Sequence, residues 1–427
     1  MRILHTSDWH LGRSFHGAPL LPEQSEIVDR LVALTSDRDI DLVLIAGDLY
    51  DRAIPPSDAV RLLDNALVRL REAGASIVAI TGNHDSPSRV AVADRILERA
   101  GVAIRGDVSR CIQPLQFDPD DGGSPVSIFP VPYLEPSLAR PVLDQLDRDT
   151  DTADTGGPHD VSRHDHTIAP SPGHQTPEIE EFQRAGHRRV SHHDVTKLAT
   201  KLIRRTATAS GPTRTIVVAH TFVDRGTPSE SERDLSIGNI DKVGLDVFGG
   251  FDYVALGHLH RSQAFNDGRV AYSGSPLPYS FSEENDTKSV RIIEMNTEGQ
   301  CSTEVVPLGV GRPLRTLRGR LDDLLNSPEF SGARGARVRV RLTDPELPLQ
   351  AMAQIQRRFP HAAVLEHVPE GRKSPDGGDV AEAVANSDNP LELALRFWAD
   401  QHGVEASEAQ QVVLASAIHA ATGESDE

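Results

Sequence analysis

The chain has 427 residues, of which 25% are charged and 38% hydrophobic, a composition that predicts a soluble protein of two to three domains. Its net charge of −19 argues against a protein that grips nucleic acid alone, because such proteins usually present a basic face. It has no apolar run of membrane-spanning length, no secretory signal and only two distant cysteines, Cys111 and Cys301. We therefore expect a cytoplasmic protein that has a small substrate, or that obtains positive charge locally from bound metals and a partner.

Residues 1–110 alternate strand and helix. Apolar residues recur at helical spacing over residues 22–38, 58–73 and 88–100, with short apolar runs between them. This alternation predicts βαβ units, and hence a largely parallel or mixed sheet covered by helices on its faces.

Five apolar runs end in polar side chains of the kinds that bind metals. The runs are residues 2–6, 41–46, 77–80, 215–218 and 253–256. The segments that follow them are Asp8-Trp-His10, Gly47-Asp48-Leu-Tyr-Asp51, Gly82-Asn83-His84-Asp85, Ala219-His220 and Gly257-His258-Leu-His260. Because ligands in α/β sheets gather at the carboxyl ends of strands, we expect these side chains to meet at one edge.

The residue types in these segments favour a two-metal site. Hard cations such as Mn²⁺ prefer carboxylate and amide oxygens, and imidazole extends the choice toward iron and zinc. Seven side chains are too many for one ion and suit two: Asp8, His10, Asp48, Asn83, His220, His258 and His260. Asp48 is the natural bridge, and two ions about 4 Å apart can activate water and neutralise phosphate oxygens. His84 falls outside this set as a candidate acid, with Asp85 predicted to orient its ring.

Other interpretations of these motifs exist. Taken alone, Asp8 could cap a turn and His258 could be a core histidine, but five such motifs in order make a purely structural role improbable. A two-metal hydrolase of small phosphate esters, such as a cyclic-nucleotide phosphodiesterase, is an alternative that these motifs leave open. A scaffold that has lost its metals would need broken ligand positions, and none is broken.

The middle and the end of the chain differ in character. Residues 136–189 lose periodicity and predict a largely disordered insertion, and the seven histidines from His159 to His193 predict a solvated loop rather than a second metal site. Order is expected to return near Asp194. Residues 312–370 predict a small α+β domain, 371–389 a polar linker and 390–421 two amphipathic helices. Those helices cannot bury their own apolar faces and should dock on this chain or on a partner.

The five strand-end motifs resemble the signature of the calcineurin-like metallophosphoesterases. Softer features are similar to the SbcD family of nuclease subunits within that superfamily: residues 8–12, 231–234 and 272–276, and the order of the domains. The resemblance implies an α/β fold in which a β-sandwich flanked by helices spans residues 1–308, followed by a capping domain and a helical tail. Relatives carry a histidine at the position of Asp51. Any role of that histidine in the relatives therefore cannot be assigned to this chain.

The resemblance also implies roles and partners. It assigns one Mn²⁺ to Asp8, His10, Asp48 and His260, the second to Asp48, Asn83, His220 and His258, and catalysis to His84. It implies exonuclease and hairpin-opening activity on DNA, 3′ to 5′, in repair and recombination. The partners it implies are DNA, a coiled-coil ABC-type ATPase of the SbcC kind and a second copy of the chain within a heterotetramer. Residues 312–370 would help to admit DNA, and residues 391–421 would pack on the coiled coil.

Overall fold

A computed structural model describes residues 1–153, 190–209, 211, 213–232, 242–369, 390–402 and 405–422. The chain divides into two compact units, Met1–Arg315 and Thr316–Glu427. Among the described residues, no helix combines the length and apolar character needed to cross a bilayer.

The first unit contains fourteen described strands and six described α-helices. The strands are β1 (Arg2–Thr6), β2 (Ser14–Phe15), β3 (Ala18–Pro19), β4 (Leu42–Ala46), β5 (Ser76–Ile80), β6 (Val102–Arg105), β7 (Leu115–Phe117), β8 (Val126–Val131), β9 (Arg214–His220), β10 (Tyr253–Gly257), β11 (Gln263–Phe265), β12 (Val270–Tyr272), β13 (Ser289–Met295) and β14 (Cys301–Pro307). The α-helices are α1 (Leu21–Asp37), α2 (Ser57–Glu72), α3 (Pro87–Val90), α4 (Asp94–Arg99), α5 (Pro136–Ala153) and α6 (His192–Ala209).

Two six-stranded mixed sheets form the centre of this unit. The first has the order β14-β13-β1-β4-β5-β6 and the second the order β11-β12-β10-β9-β8-β7. In the first sheet, β1, β4, β5 and β6 are parallel, and β13 runs antiparallel to β1. In the second, β8, β9, β10 and β12 are parallel. The parallel strands of both sheets are almost fully buried, which explains why they read as continuous apolar runs.

The main core lies between the two sheets. Leu44 and Val78 of the first sheet belong to the same buried cluster as Ile216, Val218 and Ala255 of the second. A second cluster packs the other face of the second sheet against α5 and α6. The predicted α/β fold with a β-sandwich flanked by helices is therefore confirmed.

The structure differs from the sequence predictions in two segments of this unit. Residues 88–100 form α3 and α4 rather than one helix, because Ala93 adopts a left-handed backbone with φ of 61°. Residues 136–153 were predicted to be disordered but form α5, which buries Ala139 and Leu143 against α6. The internal Pro141 and the polar composition obscure this helical spacing. The rest of the predicted insertion, residues 154–189, lies outside the described residues, whereas His192 and His193 begin α6.

The second unit contains a three-stranded sheet and four described α-helices. Its strands, in sheet order, are β15 (Leu314–Gly319), which begins just before the boundary, β16 (Arg337–Leu342) and β17 (Ala362–His367). Its helices are α7 (Leu321–Asn326), α8 (Ala351–Arg358), α9 (Pro390–His402) and α10 (Glu408–Thr422). Strands β16 and β17 are parallel, and their apolar faces pack on α7 and α8. This is the small α+β fold that the sequence predicts. The predicted linker 371–389 lies outside the described residues.

Candidate metal centre

The predicted site residues come from both sheets and lie at one edge of the sandwich. Asp8 and His10 follow β1, Asp48 follows β4, and Asn83 and His84 follow β5. In the second sheet, His220 ends β9, and His258 and His260 follow β10. The carboxyl ends of parallel strands thus bring together residues that are up to 252 positions apart in the sequence.

Asp48 lies at the centre of this cluster. Its Oδ2 atom is 3.5 Å from Nε2 of His10 and 3.5 Å from Nε2 of His220. The His10 Nε2 atom is in turn 3.2 Å from Nε2 of His260, and the His220 Nε2 atom is 2.9 Å from Oδ1 of Asn83. One carboxylate therefore stands between two groups of donor atoms, as the predicted bridging role requires.

The two remaining predicted ligands are close to the same cluster. Asp8 offers an oxygen within 4.8 Å of donor atoms of His10 and His260, and likewise of Asp48 and His220. Its carboxylate also accepts a hydrogen bond from the backbone N–H of His258 at 3.0 Å. The His258 ring centroid lies 5.3 Å from that of His220. All seven predicted ligands are thus gathered at this edge.

Four of these seven residues have unusual backbone angles. The φ angles are 54° for Asp8, 44° for His10, 48° for Asp48 and 108° for His258. Non-glycine residues rarely adopt positive φ, and such strain persists only where surrounding structure enforces it. Here the hydrogen bond from His10 N–H to the Asp48 carbonyl at 2.9 Å joins two of the strained turns. The turns aim side chains from different strands at a common point.

Two glycines allow the sheets to approach at this edge. A Cβ atom on Gly47 would lie 2.3 Å from Nδ1 of His220, and one on Gly257 would lie 1.7 Å from the carbonyl oxygen of Ala46. Gly47 also has a φ of +90°. The glycine that precedes the metal-type residues in each of these two motifs is therefore required by close packing between the sheets.

Burial determines the protonation of the imidazoles. It lowers the pKa of His10, His258 and His260 well below the ordinary value, and that of His220 to about 4. These rings are therefore neutral at pH 7 and carry a lone pair. Burial, followed by repulsion from Asp48, raises the pKa of Asp8. A cation beside these carboxylates would offset that repulsion.

The donor atoms of the cluster fit divalent ions. Nδ1 of His220 lies 2.9 Å from the Ala46 carbonyl, which can only accept, so Nδ1 carries the proton and Nε2 is bare. The bare Nε2 faces the oxygens of Asn83 and Asp48, which leaves lone pairs pointing at one another. Adjacent ligands of an octahedral ion at about 2.1 Å lie about 3 Å apart, close to the separations found here. Nδ1 of His10 is also buried and has no hydrogen-bond partner among the residues that the structure describes. Mixed oxygen and imidazole donors suit manganese, iron or zinc.

His84 borders the cluster and is oriented by a backbone group. Its Nδ1 atom is 2.8 Å from the carbonyl oxygen of Asp51, and its Nε2 atom is 4.0 Å from Oδ2 of Asp48. Its ring centroid is 4.7 Å from that of His10. His84 is also more exposed than the buried histidines, at 11% of its side-chain surface, so a substrate can reach it.

The predicted role of Asp85 is wrong. Its carboxylate accepts hydrogen bonds from the backbone N–H groups of Leu49, Tyr50 and Gly82, at 3.1, 2.9 and 2.9 Å, while the His84 ring is bonded to the backbone of Asp51. Asp85 therefore fixes the loop after β4 instead of the imidazole. Burial, and then the charge of Asp48, raise the pKa of Asp85 to about 7.

Two residues at the site were missed by the sequence analysis. The guanidinium of Arg13 lies 4.6 Å above the ring of Tyr279, and the Tyr279 ring is 5.2 Å from that of His10 and 5.3 Å from that of His260. The Tyr279 hydroxyl donates to the Trp9 carbonyl at 2.7 Å. Arg13 directly follows the first motif, which is a usable signal, but nothing in the local sequence marks Tyr279.

Comparison with known families agrees with this geometry. Residues 1–262 match the family model described as calcineurin-like phosphoesterase. The chain belongs to the calcineurin-like phosphoesterases. Residues 310–402 match the SbcD C-terminal domain model, described as the type 5 capsule protein repressor C-terminal domain. The chain is therefore an SbcD-like metallophosphoesterase and a metal-dependent phosphoester hydrolase, and its family implies divalent metal ions at the cluster.

Solved structures with low sequence identity are also similar to the chain. A protein from Thermus thermophilus has 13% identity and a TM-score of 0.35, covering 71% of this chain and 98% of its own. A dimetal phosphatase from Danio rerio has 11% identity and a TM-score of 0.39, covering 72% and 96%. GAP50, the anchor in the inner membrane complex of Plasmodium, has 9% identity and a TM-score of 0.35, covering 87% and 98%.

Proposed function

We propose that this phosphoesterase is a DNA nuclease that hydrolyses phosphodiesters with two divalent ions, Mn²⁺ in the cell. The observation that carries two-ion hydrolysis is the position of Asp48, whose Oδ2 is 3.5 Å from imidazole nitrogens on each side. The match of residues 310–402 to the SbcD C-terminal domain supports DNA as the substrate.

The proposed ligand sets share Asp48. Asp8, His10, Asp48 and His260 hold one ion, and Asp48, Asn83, His220 and His258 hold the other. Bound divalent ions supply Lewis acidity at phosphoryl oxygens and water. The protein's part is to hold the donors in place, which the Ala46 carbonyl does for His220 and the backbone of His258 does for Asp8.

His84 supplies the proton chemistry in this proposal. Because Nδ1 is bonded to the Asp51 carbonyl, the ring is fixed with Nε2 toward the cluster. A proton held at Nε2 can pass to the leaving oxygen when the phosphodiester breaks.

A partner protein would explain how so acidic a chain can contact DNA. With a net charge of −19, the chain offers little general attraction to a polyanion, so a DNA contact shared with an ATPase of the SbcC kind would supply it. Helices α9 and α10 expose Phe397, Val412 and Val413 at 58%, 69% and 67% of their surface. We propose that these helices pack on the coiled coil of that ATPase, in a heterotetramer that contains two copies of this chain.

The substrate is tested with the purified chain and Mn²⁺, with and without the SbcC-type ATPase and ATP, on linear duplex DNA, hairpin DNA and a chromogenic phosphodiester. We expect 3′-to-5′ degradation and hairpin opening that Asp48→Asn abolishes. Hydrolysis of the chromogenic diester without any action on DNA would favour a small-molecule phosphodiesterase. Activity that is equal in wild type and Asp48→Asn would indicate a contaminating nuclease.

The partner is tested separately. Deleting residues 389–427 should abolish co-purification with the ATPase and leave hydrolysis of the chromogenic diester intact. Co-purification of the truncated chain with the ATPase would disprove the docking proposal without affecting the proposed chemistry.

A further inference from the structure

His260 is held at three points by residues outside the proposed ligand sets. Its backbone N–H donates to Oε1 of Glu232 at 2.8 Å. Its carbonyl accepts from Nζ of Lys288 at 2.9 Å. Its Nδ1 lies 2.5 Å from Oγ of Ser231. Ser231 and Glu232 open the segment 231–234, which the sequence analysis singled out and for which the proposed function gives no role.

A buried carboxylate continues this chain of contacts. Ser231 Oγ donates to Oε1 of Glu283 at 2.5 Å, and Oε2 of Glu283 is 2.5 Å from Nζ of Lys288. The Glu283 side chain has no solvent exposure. Its first oxygen also accepts from the backbone N–H of Ser280 at 3.1 Å. A buried glutamate paired with a lysine in this way is a fixed acceptor.

The direction of the hydrogen bonds follows from the acceptor. The Ser231 hydroxyl has one proton, and Glu283, paired with Lys288, can only accept it. Oγ of Ser231 therefore accepts from Nδ1–H of His260, which leaves Nε2 of His260 without a proton. That bare Nε2 is the atom 3.2 Å from Nε2 of His10, in the cluster.

We propose that Ser231 and Glu283 are positioning residues that hold His260 in the tautomer and ring orientation needed for metal binding. The inference rests on the proposed role of His260 as a ligand. Groups behind a ligand histidine commonly change metal affinity by about 10- to 100-fold when they are removed. Among the proposed ligands, Ser231 and Glu283 reach only His260. Removing either one should therefore weaken only one of the two metal positions.

The test is a two-site Mn²⁺ titration by calorimetry on the full chain, for wild type, Ser231→Ala and Glu283→Gln. We expect each variant to lose about 10- to 100-fold in affinity at one position and to stay within about threefold of wild type at the other. Ser231→Thr, which keeps the hydroxyl, should restore wild-type binding. The matched control is Ser280→Ala: the Ser280 hydroxyl is 3.3 Å from the same Glu283 oxygen, and its other hydroxyl neighbour is Ser282 at 2.5 Å rather than Ser231. It should leave both positions within about threefold of wild type.

The outcomes separate this inference from the proposed function. Wild type that binds no Mn²⁺ would overturn the proposed centre. Wild type that binds two ions, together with a Ser231→Ala variant that binds both equally well, would overturn the positioning role alone. Equal weakening of both positions in Ser231→Ala would also overturn it. Should Glu283→Gln fail to melt cooperatively, Ser231→Ala and its threonine rescue decide the question.

Discussion

The imidazole Nδ1 of His84 and the carbonyl oxygen of Asp51 are hydrogen-bonded at 2.8 Å. A backbone carbonyl holds the ring while its other nitrogen stays 4.0 Å from Asp48, near the proposed ligands without being one of them in our assignment. In the proposed mechanism this arrangement separates proton transfer from metal binding, and the two can be measured independently.

We predict that His84→Gln lowers the rate of phosphodiester hydrolysis by about 10²- to 10⁴-fold, the usual contribution of a general acid. Manganese binding should be retained, because the proposed ligand sets remain complete. Steady-state rates on the chromogenic diester and a parallel metal titration check this. A loss of one bound ion would make His84 a ligand instead.

Removal of metal should lower the melting temperature of the chain. Since the proposed ligands come from both sheets, each bound ion ties the two sheets together and stabilises the folded state. An ion at 100 times its dissociation constant contributes about 2.7 kcal/mol. Calorimetric melts with Mn²⁺ and with a chelator measure the difference, and Asp48→Asn should show a much smaller one. Equal melting temperatures of the wild type in both conditions would contradict the metal centre.

Gly257→Ala should destabilise the first unit severely. The added Cβ would lie 1.7 Å from the Ala46 carbonyl, and a backbone atom cannot move aside without separating the sheets. We expect a loss of about 3 kcal/mol in the free energy of unfolding, the upper end of the usual cost of overpacking, measured by urea titration. Gly332→Ala is the control, because a Cβ there meets nothing within 4 Å. If Gly257→Ala had the same urea midpoint as the wild type, the two sheets could accommodate the added methyl group without cost.

The buried histidine His5 should make folding stability depend on pH. Burial, reinforced by the charge of Arg291, lowers its pKa from 6.5 to about 3. The unfolded chain therefore takes up a proton between pH 6.5 and 3 that the folded chain does not bind. This contribution to stability is complete above about pH 6.5 and is lost as the pH falls, by up to about 1.4 kcal/mol per unit.

Replacing His5 tests that dependence. His5→Gln should flatten the slope of unfolding free energy against pH between 6.5 and 5 by up to one proton, in chelator so that metal release does not contribute. Denaturant titrations at four pH values measure the slope. An identical slope in both proteins would mean that His5 binds the same number of protons in the folded and the unfolded chain over this pH range.

The sequence predicts the position of a residue in the fold where a local pattern marks the end of a strand. A short apolar run followed by Asp, Asn or His marks a strand end, and parallel strands bring such ends together whatever their separation in the chain. Hence the gathering of all seven proposed ligands at one edge could be predicted, together with the central position of Asp48 among them. The alternation of strands and helices predicts the parallel strands of the first sheet, whereas the sandwich of two sheets was implied only by the family resemblance.

Contacts made by loops could not be predicted in this way. Asp85 directly follows His84, which suggested a pair, but its carboxylate is used by the backbone of Leu49 and Tyr50. Ser231 lies between β9 and β10 and Glu283 lies after β12, 52 residues later, so only the folded chain brings them together. The positive φ angles at the ligands are likewise imposed by the assembled sheets.

The division of the cluster between two sheets has a consequence for biosynthesis. The first sheet brings its carboxylates and amide within the first 85 residues, but the imidazoles of the second sheet come only between positions 220 and 260. A chain emerging from the ribosome therefore carries an incomplete set of donors until most of the first unit has been made. If the proposed ligand sets are correct, hydrolysis requires the second sheet to close over the first, and half-made copies would not hydrolyse phosphoesters.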